Sequence, residues 1–213
     1  MHESPVTFVS RDAVVLEGLL EKGTNKGAVV LLHPHPLYGG EMRNPVIKAL
    51  KKAASEEGFT TLRFNFRGVG KSGGSYGEGI KEKEDLKGAL DYLSSLGAER
   101  PFVVAGYSFG SIVAARTSRE DQRIDMLVLV SPPLLMDGFE EVMAFKGPKL
   151  VIVGDRDDLC PLEKLEQWYR DLPEPKRLHI VESCDHFYSW GMHIAVTNPF
   201  KEFLRVFCGG NVS

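Results

Sequence analysis

One serine, a run of three aspartates and one histidine occur in the order that a hydroxyl nucleophile and its activating partners require. The serine is Ser108, centred in Gly106-Tyr107-Ser108-Phe109-Gly110, a G-x-S-x-G pattern. A serine hydroxyl is a poor nucleophile until a base takes its proton, and that base needs a carboxylate to orient it. Downstream, "DRDDLCP" supplies Asp155, Asp157 and Asp158, and "SCDHFYSW" supplies His186. Serine, then carboxylate, then histidine is the chain order of acyl-transfer sites built on a strand-turn-helix serine. The other histidines fit the role of base less well. His2 is near the terminus, His179 lies inside an apolar run, and His193 lies beyond the loop. Asp185, next to His186, points elsewhere if the imidazole points inward. Among Asp155, Asp157 and Asp158 the residues alone leave the choice open.

Two other motifs compete for attention. In "LLHPHPLYGG" (31–40) an apolar run stops at His33 and His35, each followed by proline. Two histidines are too few for zinc, which takes three or four protein ligands, and recruiting His186 as a third would sacrifice it as a base. The segment "GVGKSG" (68–73) matches G-x-G-x-x-G, and nearly reads as a phosphate-binding loop ending in "GKS". The further glycines Gly74, Gly77 and Gly79 postpone any helix, and Asn65 stands where that loop requires glycine. A glycine-rich rim to the site is the better reading.

These residues must be positioned by the elements before them. "GAVVLL" (27–32), "PFVVAG" (101–106), "IDMLVLVS" (124–131) and "KLVIVG" (149–154) are short, continuously apolar runs, as expected of strands buried on both faces of a parallel sheet. "FTTLRFNF" (59–66) and "KRLHIVE" (176–182) add two more strands, and Val6–Glu21 reads as two strands meeting near Arg11–Asp12. Between them, Asn44-Pro45 opens a helix to about Glu57 with an N-cap and an N1 proline. Further helices are expected over 79–97 (Ile80, Leu86, Leu90, Leu93), from Phe109 to Arg119, over Pro161–Asp171 and over Thr197–Phe207. Strands alternating with helices predict a mostly parallel, doubly wound α/β sheet with helices on both faces and an N-terminal antiparallel hairpin. In such sheets the ligand site lies outside the carboxyl ends of the strands, which is where Ser108, the aspartates and His186 fall.

The 213 residues, 43% hydrophobic and 26% charged, fit one domain spanning 1–213. A net charge of −3 gives no basic footprint, so nucleic acid and anionic membrane are not expected partners. No secretory layout or long apolar run is visible, which makes the cytoplasm the expected setting. Cys160, Cys184 and Cys208 are an odd number without paired spacing, so reduced thiols are expected. A Cys160–Cys184 bridge is the one pairing the predicted strand ends allow.

Taken together, "LLHPHPLYGGEMRNPV", "LRFNFRGVGKSGG", "GYSFG", "VGDRDDLCP" and "DHFY" resemble the α/β-hydrolase superfamily. Within it the resemblance is to small cap-less serine hydrolases related to dienelactone hydrolases and short-chain esterases. Dienelactone hydrolases proper carry a cysteine nucleophile where this chain has Ser108. The resemblance places the acid on Asp157, the base on His186, and one oxyanion-hole N–H on Phe109. The second N–H comes from the loop after the "VVLLH" strand. Pro34 and Pro36 have none, so the donor is His35, Leu37 or Tyr38, with the gapless match favouring His35 and the second "HP" favouring Leu37.

The segment 132–148 is too short for a cap domain, so an open cleft is expected. Tyr38, Tyr107 and Phe187 are its candidate substrate-binding residues, and Leu37, Leu134, Leu135, Met136, Tyr188 and Trp190 complete the candidate apolar lining. The reading is a serine hydrolase cleaving small or short-acyl carboxylic esters, without cofactor or metal. Its expected partner is a small-molecule ester substrate, and the chain is open to forming a homodimer. A thioesterase, peptidase or lactonase would use the same residues, and a non-catalytic binding protein would keep the same fold.

Overall fold

The computed structural model describes residues 2–209. Its centre is an eight-stranded sheet in the order β1-β2-β4-β3-β5-β6-β7-β8. The strands are β1 (Ser4–Val9), β2 (Val15–Glu21), β3 (Ala28–Leu32), β4 (Thr60–Phe64), β5 (Phe102–Tyr107), β6 (Ile124–Val130), β7 (Lys149–Arg156) and β8 (Lys176–Asp185). β1 and β2 form the antiparallel N-terminal hairpin, β2 joins β4 antiparallel, and every later pairing is parallel. The chain first winds from β3 to β4 on one side, then crosses to β5 on the other. The carboxyl ends of β3 and β5 therefore form the topological switch point, where such sheets leave a crevice.

Each central strand alternates its side chains between two cores. Val29, Leu31, Val103, Ala105, Val128, Val130 and Ile152 face α1 (Pro45–Glu56) and α5 (Thr197–Cys208). Val30, Leu32, Val104, Leu127, Leu129 and Val151 face α2 (Glu82–Ser95), α3 (Phe109–Thr117) and α4 (Leu162–Asp171). Because both faces are covered, the period-two alternation is apolar on both sides, and the strands read as unbroken apolar runs. α1 starts where the sequence signals it: the Asn44 side chain accepts the Val46 N–H at 2.9 Å, with Pro45 in the first turn. Val46, Ile47, Leu50, Ala53 and Ala54 then form the buried stripe of that helix.

α2 begins later than its apolar spacing predicts. The Glu82 carboxylate accepts the Gly77 and Gly79 N–H groups at 2.7 and 2.8 Å, and Gly79 adopts φ +70°. These bonds close a turn ahead of the helix and leave Ile80 outside it, 58% exposed. β8 runs to Asp185 instead of stopping at 182, which carries the chain directly to His186.

Backbone meets backbone closely under Ser108. A methyl group on Gly110 would sit 2.2 Å from the Leu32 carbonyl oxygen, and one on Gly106 would sit 2.2 Å from the Gly110 oxygen. α3 therefore touches the ends of β3 and β5 backbone to backbone, which only glycine permits. Gly110→Ala is expected to destabilise the fold by about 1–3 kcal/mol through forced separation of α3 from β3. The drop in the urea midpoint at constant slope measures it.

Candidate active site

Ser108 follows β5 directly and precedes the first turn of α3, with φ 52° and ψ −116°. A non-glycine residue with positive φ is strained by about 1–3 kcal/mol. The strain is held by neighbours on both sides. The Ser108 N–H donates to the Val130 oxygen at 2.9 Å, and the Ser108 oxygen accepts the Ser111 N–H at 2.8 Å and the Ser111 hydroxyl at 2.5 Å. The Ser108 side chain is thereby directed at the loop after β8. There its Oγ lies 2.9 Å from His186 Nε2.

On its far side, His186 Nδ1 lies 2.8 and 2.9 Å from the two carboxylate oxygens of Asp157. A carboxylate only accepts, so Nδ1 carries the proton and Nε2 is left bare to accept from Ser108. The three side chains are buried and joined in one hydrogen-bonded chain. Asp157 is fixed from behind, because its Oδ1 also accepts the Leu159 and Cys160 N–H groups at 3.0 Å each. The neighbouring aspartates do other things. Asp155 accepts the Cys184 N–H at 3.2 Å, Asp158 is exposed, and Asp185 accepts the Ser189 N–H at 2.9 Å. Backbone N–H bonds hold the Asp185 carboxyl below its ordinary pKa.

The loop after β3 turns through a 3-10 turn, Pro36–Tyr38. Leu37 N–H donates to His35 Nδ1 at 3.2 Å, and Tyr38 N–H donates to the His35 oxygen at 3.1 Å. Both amides are thus engaged within the loop, whereas the N–H of His35 and that of Phe109 have no acceptor among the described residues. His33 is wholly buried, with Nδ1 2.7 Å from the Pro34 oxygen and Nε2 accepting the Phe66 N–H at 3.1 Å. Its two nitrogens are both occupied by backbone groups.

The glycine-rich segment supplies a residue that the sequence reading missed. Tyr76 places its hydroxyl 3.1 Å from His35 Nε2 and its ring 5.8 Å from that of Phe109. A single aromatic among glycines and serines was the available signal. The same segment leads into α2, whose first turn carries Glu82, Glu84 and Asp85. Those carboxylates repel a phosphate at that helix end.

A cleft of about 530 Å³ opens above Ser108 and His186. Tyr38, Phe109, Met136 and Phe187 line it, with Tyr38 88% and Phe187 75% exposed at the rim. Tyr107 also lines it, but its hydroxyl donates to the His186 oxygen at 2.7 Å and so anchors the histidine loop. Other candidate lining residues lie elsewhere. Leu134 borders a neighbouring cavity, Tyr188 is buried with its hydroxyl accepting from Ser131, and Trp190 is fully exposed. Segment 132–148 contributes one short 3-10 turn, Glu141–Ala144, and forms no cap. Cys160 and Cys184 are free, in line with the expected reduced thiols, and the pairing that the predicted strand ends allowed does not form. Burial pushes their thiols up to about 12 and about 11, which keeps both protonated at neutral pH.

A model of the alpha/beta hydrolase domain matches residues 26–197. The chain belongs to that family. An uncharacterized protein of Rickettsia prowazekii is 30% identical over 186 residues, 82% of this chain and 78% of its own. An alpha-beta serine hydrolase homologue from Coxiella burnetii has a similar structure, with TM-score 0.87 and 31% identity over 96% of this chain and 98% of its own. A lidless α/β serine hydrolase from Xanthomonas campestris shares the fold, with TM-score 0.87 and 24% identity over 97% and 95% of the two chains. Among the described residues no helix is long and apolar enough to cross a membrane.

Burial lowers the pKa of His33 to about 4 despite its bond to the Pro34 oxygen. As pH falls below the ordinary histidine value, the unfolded chain takes up this proton first. Stability is therefore full at neutral pH and is lost progressively between about 6.5 and 4, by about 3 kcal/mol. Urea melts across this window are expected to show wild type losing more stability than His33→Gln by up to that amount.

Proposed function

We propose that the chain is a serine hydrolase that cleaves carboxylic esters of small or short-acyl substrates by acyl transfer to water. The observation that carries this reading is the hydrogen-bonded chain Ser108–His186–Asp157 at the floor of an open cleft. Ser108 Oγ attacks the ester carbonyl while His186 Nε2 takes its proton. Asp157 keeps the imidazole in the tautomer that can accept, and stabilises the imidazolium once formed. His186 then protonates the departing alcohol, and the same base activates the water that releases the acid.

Negative charge develops on the former carbonyl oxygen, which needs donors already aimed at it. The unengaged N–H groups of His35 and Phe109 are the assigned donors, the second backed by the first turn of α3. Removing one such donor costs about 3–4 kcal/mol in barrier. Tyr38 and Phe187 flank the substrate, and Tyr107 acts through the His186 loop.

Substrate size and charge follow from the cleft. No lysine, arginine, aspartate or glutamate is among its lining residues, which favours neutral esters over thioesters of phosphorylated carriers or charged peptides. The open top and modest volume offer little enclosed surface for a long chain.

A series of p-nitrophenyl esters from acetate to octanoate is expected to give highest kcat/KM at the short end. Ser108→Ala and Asp157→Asn are each expected to lower kcat by roughly 10⁴-fold or more. A fluorophosphonate should label wild type at Ser108 and fail on Ser108→Ala. No turnover on any ester together with no labelling sinks the reading, and full activity in Ser108→Ala sinks the site.

A further inference from the structure

We infer that the side chain of His35 is a positioning residue, a neutral hydrogen-bond acceptor that clamps its own loop and so aims the His35 N–H into the cleft, with Tyr76 fixing its tautomer. The kinetic consequence rests on the proposed hydrolysis; the clamp itself does not.

The loop consumes its own amides. Pro34 and Pro36 have no N–H. Leu37 donates to His35 Nδ1, Tyr38 and Gly40 donate to the His35 oxygen at 3.1 and 3.0 Å, and Gly39 donates to the Pro36 oxygen at 3.3 Å. From 34 to 40, the His35 N–H is the one amide without an acceptor among the described residues. Three of these bonds end on His35 itself, two on its carbonyl and one on its ring. The residue that presents the donor is therefore also the residue that caps the turn after it.

The ring's protonation state follows from its partners. An amide donates to Nδ1, so the ring proton sits on Nε2, where it donates to the Tyr76 hydroxyl 3.1 Å away. A second proton, on Nδ1, would set donor against donor at Leu37 and open the turn. Burial lowers the His35 pKa against the pull of the Glu82 carboxylate, favouring the acceptor form. The ring also packs against Phe109 at 5.0 Å, Tyr76 at 5.2 Å and Tyr38 at 4.8 Å between centroids. Contact with Phe109 couples the residues that carry the two assigned oxyanion donors.

Three variants separate capping from packing. His35→Phe keeps a ring but removes the acceptor, His35→Asn keeps an N-cap acceptor but removes the stack, and Tyr76→Phe removes the partner of Nε2. With p-nitrophenyl acetate, His35→Phe is expected to lower kcat by about 10- to 100-fold with KM within about twofold. Its Leu37 amide should exchange with solvent at least about tenfold faster. His35→Asn should recover most of both, and Tyr76→Phe should lower kcat by about threefold to tenfold.

Long-range proton–nitrogen NMR on wild type needs no variant to fold, and is expected to show His35 protonated at Nε2 alone at neutral pH. Protonation at Nδ1 there overturns the clamp, as does His35→Phe with unchanged Leu37 exchange and kcat. The expected tautomer and a protected Leu37 amide, in a protein that neither hydrolyses esters nor takes the fluorophosphonate, support the clamp and sink the hydrolase reading alone.

Discussion

The contact of backbone against backbone beneath Ser108 is the constraint from which the site is built. α3 starts so close to β3 and β5 that neither Gly106 nor Gly110 has room for a Cβ. Only at that separation can the chain reverse from strand to helix within one residue, and that residue is Ser108, at φ 52°. The conformation is unfavourable for serine, so it persists because the surrounding bonds over-determine it. Val130 and Ser111 hold its N–H and its oxygen. The side chain is left in the one direction that reaches His186, and the Phe109 N–H is left without a helical partner.

The loop after β3 meets this elbow from the other side. Its sequence looked like chemistry in its imidazoles, and the structure shows those imidazoles occupied in holding backbone. His33 spends both nitrogens on Pro34 and Phe66, and His35 spends its own on Leu37 and Tyr76. Both rings are pushed toward the neutral form by burial. A neutral imidazole both donates and accepts, which an imidazolium cannot do, so burial here secures hydrogen-bonding competence. The two prolines remove competing donors from the same stretch.

Much of this was legible in the sequence, and for a physical reason. Strands covered on both faces must be apolar throughout, so 27–32, 101–106 and 149–154 announced themselves, and the residues just past their ends became the candidates. Helix α1 was legible because its cap is chemical: asparagine followed by proline. What could not be read depended on side chains reaching across the chain. Residue spacing by itself left Asp155, Asp157 and Asp158 open, and only the family resemblance singled out Asp157. The turn that ties Asp157 to Leu159 and Cys160 is what turns it toward His186. Ile80 had the spacing of a helix stripe, but the bonds from Gly77 and Gly79 to Glu82 exclude it. Tyr188 resembled cleft lining and is core, because its hydroxyl finds Ser131.

An open cleft changes what the protein must do to hold its donors still. Where a cap closes over a site, closure itself excludes water and completes the geometry. Among the described residues no segment forms a cap, so rigidity has to be present beforehand in the loops, as electrostatic preorganisation requires. That accounts for how thoroughly the polar groups around the cleft are engaged with one another. Arg67 is buried between Asp85 and Asp12, with a pair of bonds to each, beneath the glycine-rich rim. Glu82 ties down Gly77 and Gly79, which brings Tyr76 to His35. Tyr107 fixes the carbonyl of His186, and Asp157 is held by two amides before it meets the imidazole. Each of these bonds removes a way for a site residue to relax. The rim that remains exposed, Tyr38 and Phe187, is aromatic, so in the proposed reaction a bound ester would itself supply much of the surface that keeps water from its carbonyl.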